Sequence, residues 1–351
     1  RKPSFFSFLV LYSLLCVLCF SMFLFYRRGC PSGSFKERQA ENTKTGFFWR
    51  IKERGQKNKS PEVQVKSTAG EEPLESCPET PPGLLGPLQV EFETNRTLEN
   101  VRKQAGSSLQ WEGRYKPPDC ISKQKVAIII PFRNRHDHLT HWIYYLHPIL
   151  QRQQLHHGVF VINQHGDGEF NKAKLMNAGH VEALKEDDYG CFIFSDVDMV
   201  PLDDRNLYRC FDRPRHFSVA VDKFNYELPY KQIFGGVTAF SKEQFLMVNG
   251  FSNTYWGWGG EDDDMYKRVM FHLKSISRPD AVIGRYKMIR HERDHHNEQN
   301  LKNVKVLYET KTGLDQDGLS SLRYSVTEIT KNVLFTFITV DVHVAPGQPA
   351  G

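Results

Sequence analysis

Three short, continuously apolar runs limit the possible fold most: Val126-Ala127-Ile128-Ile129-Ile130, Gly158-Val159-Phe160-Val161-Ile162 and Cys191-Phe192-Ile193-Phe194. They are β-branched or aromatic in character and show no polar alternation, which is the pattern of strands buried on both faces. Pro131 stops the first run. An amphipathic stretch from about His138 to Leu150 separates the first two runs. A helix-like segment from Asn171 to Lys185 separates the second from the third. Strand, helix, strand, helix, strand at this spacing predicts an α/β fold with a doubly wound, mainly parallel sheet. Ligands of such sheets gather beyond the carboxyl ends of the strands, so chemistry is expected just after each run.

The 351 residues are 40% hydrophobic and 13% aromatic, enough for one large core with appendages. A net charge of +5 from 46 basic and 41 acidic residues makes no case for nucleic acid. Phe5 to Tyr26 form an almost uncharged run of about the length that crosses a bilayer as a helix. It is longer than a signal-peptide core, and no small-residue cleavage site follows it. Basic residues flank both ends, so charge alone leaves the orientation open. The first residue is Arg1, so residues 1–4 are expected to be a truncated cytosolic tail. Residues 27–110, rich in Lys, Glu, Pro, Gly, Ser and Thr, are expected to be a disordered stem. Order is expected from near Cys120, within a catalytic domain over 111–345.

Three of the seven cysteines (Cys16, Cys19, Cys30) lie in or beside the apolar run. Cys77, Cys120, Cys191 and Cys210 remain, without metal-type spacing, and allow three pairings. Sequons at Asn95-Arg96-Thr97 and, more weakly, at Asn58-Lys59-Ser60 favour an oxidising lumen and hence a type II topology.

The post-strand residues are chemically loaded. Arg133 and Arg135 follow the first run and can grip phosphate. Asp196 and Asp198 follow the third. In an extended segment they would point to one side, where a divalent cation bridging to a diphosphate would relieve their repulsion. The densest stretch is Tyr255-Trp256-Gly257-Trp258-Gly259-Gly260-Glu261-Asp262-Asp263-Asp264. Helix capping needs one or two acids. Four in a row repel, so some are expected to face a site, beside a mobile glycine loop whose aromatic rings suit sugar faces. Met288 and His291 are spaced to reach one metal. His295 and His296 offer a zinc reading that no cysteine or third histidine completes.

Taken together, Pro-Phe-Arg-Asn-Arg (131–135), Phe-Asn-Lys-Ala-Lys-Leu (170–175), Asp-Val-Asp (196–198), Phe-Gly-Gly-Val (234–237), Trp-Gly-Trp-Gly-Gly-Glu-Asp-Asp-Asp (256–264) and Met-Ile-Arg-His (288–291) make the chain resemble the β1,4-galactosyltransferase family, nearest the lactose-synthase type. The resemblance covers about Cys77 to Asp341. It implies a GT-A fold, manganese as cofactor, and Asp198, Met288 and His291 as its ligands. It implies UDP-sugar contacts from Pro131, Phe132, Arg133, Arg135, Lys172, Asp196, Val197, Lys223, Tyr230, Ile233, Gly236 and Trp258. Acceptor contacts would come from Gly260, Glu261, Asp262, Asp263, Val304 and Leu307. Asp262 would be the base, with Glu261 and Asp263 beside it, and Trp258 would close over the donor. The implied disulfides are Cys77–Cys120 and Cys191–Cys210. The implied reaction is an inverting transfer of galactose from UDP-galactose to the 4-hydroxyl of terminal N-acetylglucosamine, in the Golgi membrane with the catalytic domain lumenal. Ile233 stands where galactose-using members commonly carry Tyr, so UDP-N-acetylgalactosamine is expected as a second donor. The 303–307 segment lacks the Arg-Phe pair of the lactose-synthase type, so lactalbumin is not expected to bind. A non-catalytic lectin for terminal N-acetylglucosamine is the rival reading, but a lectin needs no base.

Overall fold

Each apolar run is a strand and each intervening stretch a helix. The computed structural model describes residues 73–105, 109–292 and 296–343. The expected tail, membrane anchor and stem up to residue 72 lie outside the described residues, as do Cys16, Cys19, Cys30, Asn58 and His295. Among the described residues no helix is long and apolar enough to cross a membrane.

In chain order the elements are α1 (Leu98–Ala105), β1 (Arg114–Tyr115), β2 (Lys125–Phe132), α2 (His136–Arg152), β3 (His156–Gln164), α3 (Lys172–Glu186), β4 (Cys191–Ser195), β5 (Met199–Pro201), β6 (Arg215–His216) and β7 (Ala220–Val221). There follow β8 (Val237–Ser241), α4 (Lys242–Met247), α5 (Glu261–His272), β9 (Arg285–Met288), α6 (Lys302–Gly313), β10 (Ser325–Lys331) and β11 (Thr336–Asp341). The main sheet runs β10-β11-β3-β2-β4-β8-β6, with β1 paired to β3.

Alternation along β2 builds two cores. Val126, Ile128 and Ile130 face Leu139, Trp142 and Leu146 of α2, while Ala127 and Ile129 face Leu175 and Ala178 of α3. Gly179 lets α3 settle onto the sheet: a Cβ there would lie 2.5 Å from Ile129 and 2.8 Å from Ile162.

Three expectations need correction. The sheet is mixed: β11, β3, β2 and β4 run parallel, but β8 is antiparallel to β4, β6 to β8, β10 to β11 and β1 to β3. Short antiparallel strands on the flanks carry too few apolar residues to register as runs. Pro131 does not end β2, which continues to Phe132. β2 pairs with β4 only as far as Ile129, so Pro131 sits where its missing N–H breaks no bond on that side. The stem boundary also lies earlier than residue 110. Cys77 is bonded to Cys120, the amides of Leu85 and Gly86 donate to the Asp204 carboxylate, and Val90 and Val101 join the α2-side core. A few anchoring residues in an otherwise polar, Pro- and Gly-rich segment suffice to hold it against the body.

Candidate active site

Where β2, β3 and β4 end, the chain turns into the site. The expected extended path through Asp196 and Asp198 is instead a turn, closed by the Met199 amide donating to the Asp196 carbonyl at 3.3 Å. The two carboxylates therefore meet different partners, although both line one pocket.

Asp198 faces His291, whose Nε2 lies 3.1 Å from the carboxylate. The His291 Nδ1 lies 2.6 Å from the Glu292 carbonyl. With an acceptor on each ring nitrogen the imidazolium is favoured, and the Asp198 hydrogen bond raises the pKa of His291. A small three-stranded sheet, β5-β9-β7, joins these distant residues. Met199 is the register partner of Met288, and the Ile289 amide donates to the Asp198 carbonyl at 2.9 Å. Met288 and His291 thereby line the same pocket as Asp198. Among the described residues no three His, Cys, Asp or Glu side chains form a metal cluster. A site here would be one carboxylate, one imidazole and one thioether, a mixed set suited to a borderline transition metal better than to magnesium.

Asp196 faces the other way, 2.8 Å from the Lys172 ammonium. Lys172 also lies 3.3 Å from Glu261, at the first turn of α5. Burial would lower the Lys172 pKa, but the charges of Asp196, Glu261 and Asp262 overcome it and hold the ammonium charged. Burial pushes Asp196 up to about 6 against the pull of Lys172. Asp262 is pushed up to about 7, first by burial and then by the charge of Glu261. Asp263 accepts from the Tyr230 hydroxyl at 2.9 Å. Asp264 turns inward, with only 1% of its surface exposed, and pairs with Arg268 at 2.6 Å. The four acids thus have distinct surroundings, and only the first three reach the pocket.

Gly235 makes room for the acid. A Cβ on it would lie 2.3 Å from Asp262 Oδ2. Its carbonyl accepts from the His216 ring at 3.0 Å and from Ser218 at 3.1 Å, and the Gly236 carbonyl accepts from the Asp196 amide at 3.0 Å.

Trp256 and Trp258 differ. Trp256 stacks on His343 at 4.7 Å, and its carbonyl accepts from Asn300 and Asn303. Trp258 is 49% exposed between Gly257, Gly259 and Gly260, all at positive φ. Its amide donates to the Glu298 carbonyl at 2.9 Å.

Pro131, Arg133, Arg135, Val197 and Lys223 line the pocket beside Asp198, and Gly236, Gly260, Val304 and Leu307 line the adjoining one beside Asp262. Arg133 donates to the Gly168 carbonyl at 2.6 Å and stacks on Phe170. Phe132 is instead a core residue, packed on His136 and Phe337. Ile233 lines neither pocket; it is half-buried and its carbonyl accepts from Arg278 at 2.8 Å. Asn95 is exposed, as a glycan acceptor must be. Sequence reasoning missed several contributors, Asn297 and Asn300 on the pocket walls among them. His138 packs on His291 at 5.2 Å, Asp222 accepts from the Met288 amide at 2.9 Å, and Gln299 joins the pocket wall. None stands in an apolar run or a motif, so no local signal marks them.

Residues 77–211 match the N-terminal region of glycosyl transferase group 7, and residues 215–292 match the N-terminal domain of galactosyltransferase. The chain is 56% identical over 274 residues to β-1,4-galactosyltransferase 2 of Mus musculus, covering 78% of this chain and 73% of that one. It is 57% identical over 269 residues to β-1,4-galactosyltransferase 1 of Homo sapiens, covering 77% and 67%. The chain belongs to the β1,4-galactosyltransferase family. A solved family fold agrees with this one: the catalytic domain of Drosophila β1,4-galactosyltransferase 7 with xylobiose superposes at a TM-score of 0.56 and 26% identity, over 63% of this chain and 95% of that one. A mutant of that Drosophila enzyme in complex with manganese, UDP-Gal and xylobiose gives 0.55 and 27% over the same shares. Both disulfides that the family resemblance implied, Cys77–Cys120 and Cys191–Cys210, are present.

Proposed function

We propose that this chain is a manganese-dependent β1,4-galactosyltransferase that uses UDP-galactose, with terminal N-acetylglucosamine as its acceptor. Galactosyl transfer follows from the family, and the manganese and UDP-Gal complex of the Drosophila relative extends it to the metal and donor. The observation that carries the reading is the division of the acids between the end of β4 and the first turn of α5. One group, Asp198 with His291 and Met288, suits a metal; the other, Glu261 and Asp262, suits a reacting hydroxyl.

Asp262, in the pocket beside Val304 and Leu307, takes the proton from the acceptor 4-hydroxyl as that oxygen attacks the anomeric carbon. Lys172 joins Asp196 to Glu261 and keeps Glu261 in place. Arg133, Arg135 and Lys223 bind the diphosphate and nucleotide. Manganese, when bound, would offset charge developing on the departing UDP. Trp258, on its glycine loop, closes over the donor and keeps water out.

The site test is metal dependence. Asp198→Asn should nearly abolish transfer in a folded protein, and magnesium should replace manganese poorly. Undiminished transfer in excess chelator would sink the assignment. Release of UDP on mixing donor, acceptor and metal separates an enzyme from a lectin.

The anchor at 5–26, a stem ending before Cys77 and a lumenal Golgi catalytic domain complete the reading. Two disulfides and the exposed Asn95 sequon support that compartment. Lactalbumin is not expected to bind, because the 303–307 segment lacks the Arg-Phe pair. UDP-galactose should outpace UDP-N-acetylgalactosamine, since Ile233 stands off the pocket walls.

A further inference from the structure

We propose that Arg278 is a positioning residue for the base: gripping the 231–235 loop directly and through His216, it fixes the cradle in which the Asp262 carboxylate sits. Arg278 is on the wall of neither pocket. Its Nη2 donates to the carbonyls of Lys231 at 2.9 Å and Ile233 at 2.8 Å. Its Nε donates to His216 Nδ1 at 3.2 Å, and His216 Nε2 lies 3.0 Å from the Gly235 carbonyl. Backbone bonds place Arg278 beside β6: the Ser277 carbonyl accepts from the His216 amide at 3.0 Å, and the Ser277 amide donates to the Pro214 carbonyl at 2.8 Å.

The relay has one direction. A guanidinium only donates, so Nδ1 of His216 accepts and the ring proton sits on Nε2, which donates to Gly235. Burial first, then the charge of Arg278, lowers the His216 pKa to about 3 and keeps the ring in this neutral form. Ser218 donates to the same carbonyl at 3.1 Å. Phe234, between the grips, is 1% exposed in the α3-side core. On its other side Gly235 faces the acid: a Cβ there would lie 2.3 Å from Asp262 Oδ2. The wall against the carboxylate is therefore set by the donors behind it. A displacement of about 1 Å at a reacting group can cost roughly 10²-fold in rate.

The inference rests on Asp262 as the base, and the test separates the two. Turnover and calorimetric UDP affinity with manganese are compared in the full chain for the wild type, Arg278→Met, Arg278→Lys, Asp262→Asn and the double variant Arg278→Met with Asp262→Asn. Arg278→Met should lower kcat roughly 10- to 100-fold while UDP affinity changes less than about twofold. Arg278→Lys keeps a cation that can reach the same carbonyls and should recover part of the loss. The double variant decides. With the base gone there is nothing left to position, so Arg278→Met should cost less than about twofold on the Asp262→Asn background. The full loss on that background, an unchanged kcat in Arg278→Met, or a parallel loss of its kcat and UDP affinity overturns the positioning role and leaves the base in place. Near-normal turnover in Asp262→Asn removes the base, and the inference with it.

Discussion

Asp262 owes its proton affinity to its neighbours. Burial and the charge of Glu261 raise it to about 7, while Lys172 opposes them. A general base works as the carboxylate, so kcat/KM should fall as pH drops below about 7, with unit slope on the acid side. Asp262→Asn should lower turnover roughly 10²–10⁴-fold and leave UDP affinity nearly intact; near-normal turnover would move the role to Glu261 or Asp263. Gly235 offers a separate probe. Its added methyl group in Gly235→Ala would occupy the space of Asp262 Oδ2 and turn the carboxylate aside. Turnover should drop while calorimetric UDP binding changes little. Equal loss of both would mean that the 233–236 loop itself had moved.

Helix α5 is held from behind. Arg268 Nε donates to Asp264 at 2.6 Å and Nη1 to the Asp317 carbonyl at 2.7 Å, while Thr310 of α6 donates to Asp264 at 2.7 Å. Both charges are about 1% exposed. Arg268→Met leaves a buried, unpaired carboxylate, a loss of about 3–5 kcal/mol. That should lower Tm by roughly 6–20 °C, and adding Asp264→Asn should recover much of it. A Tm within a degree or two of wild type would show that the pair is dispensable. The sequence marks α5 as acid-led but does not say which acid turns inward, since that depends on Thr310 and Asp317, about 50 residues away. The same limit governs the sheet. β2, β3 and β4 are legible because both faces are buried, and the helices between them because they are amphipathic. β6, β8 and β10 are not, because pair direction is set by neighbours and leaves no period. Asp198, Met288 and His291 meet through the short β5–β9 pairing, so only the family motifs brought them together in advance. The ordering of residues 73–105 escaped because isolated residues such as Val90 and Val101 carry no periodicity.

Across the whole molecule, acid should act through four buried histidines. Burial is the first cause in each case, lowering His147 to about 4, His157 to about 3, His180 to about 4 and His216 to about 3. Their folded pKa values lie below the usual 6.5, so below that pH the unfolded chain binds more protons. Stability is therefore intact above about pH 6.5 and lost as pH falls from there towards 4. At pH 5 each such group costs about 2 kcal/mol. The raised Asp262 and Asp196 act in the opposite sense, gaining stability as pH falls through about 7 and 6, but they are two against four. The net expectation is a Tm that declines between pH 7 and 5. His180 isolates the effect. Its ring packs 4.2 Å from Phe192 and 4.8 Å from Phe245, and its Nδ1 is buried without a hydrogen-bond partner. His180→Phe keeps an aromatic ring of similar size and removes the proton site. Denaturant titrations at pH 7 and pH 5 should then show the variant losing about 2 kcal/mol less than the wild type over that interval. Equal losses would mean that His180 already meets water in the native state, and that acid lability arises from the other three histidines alone.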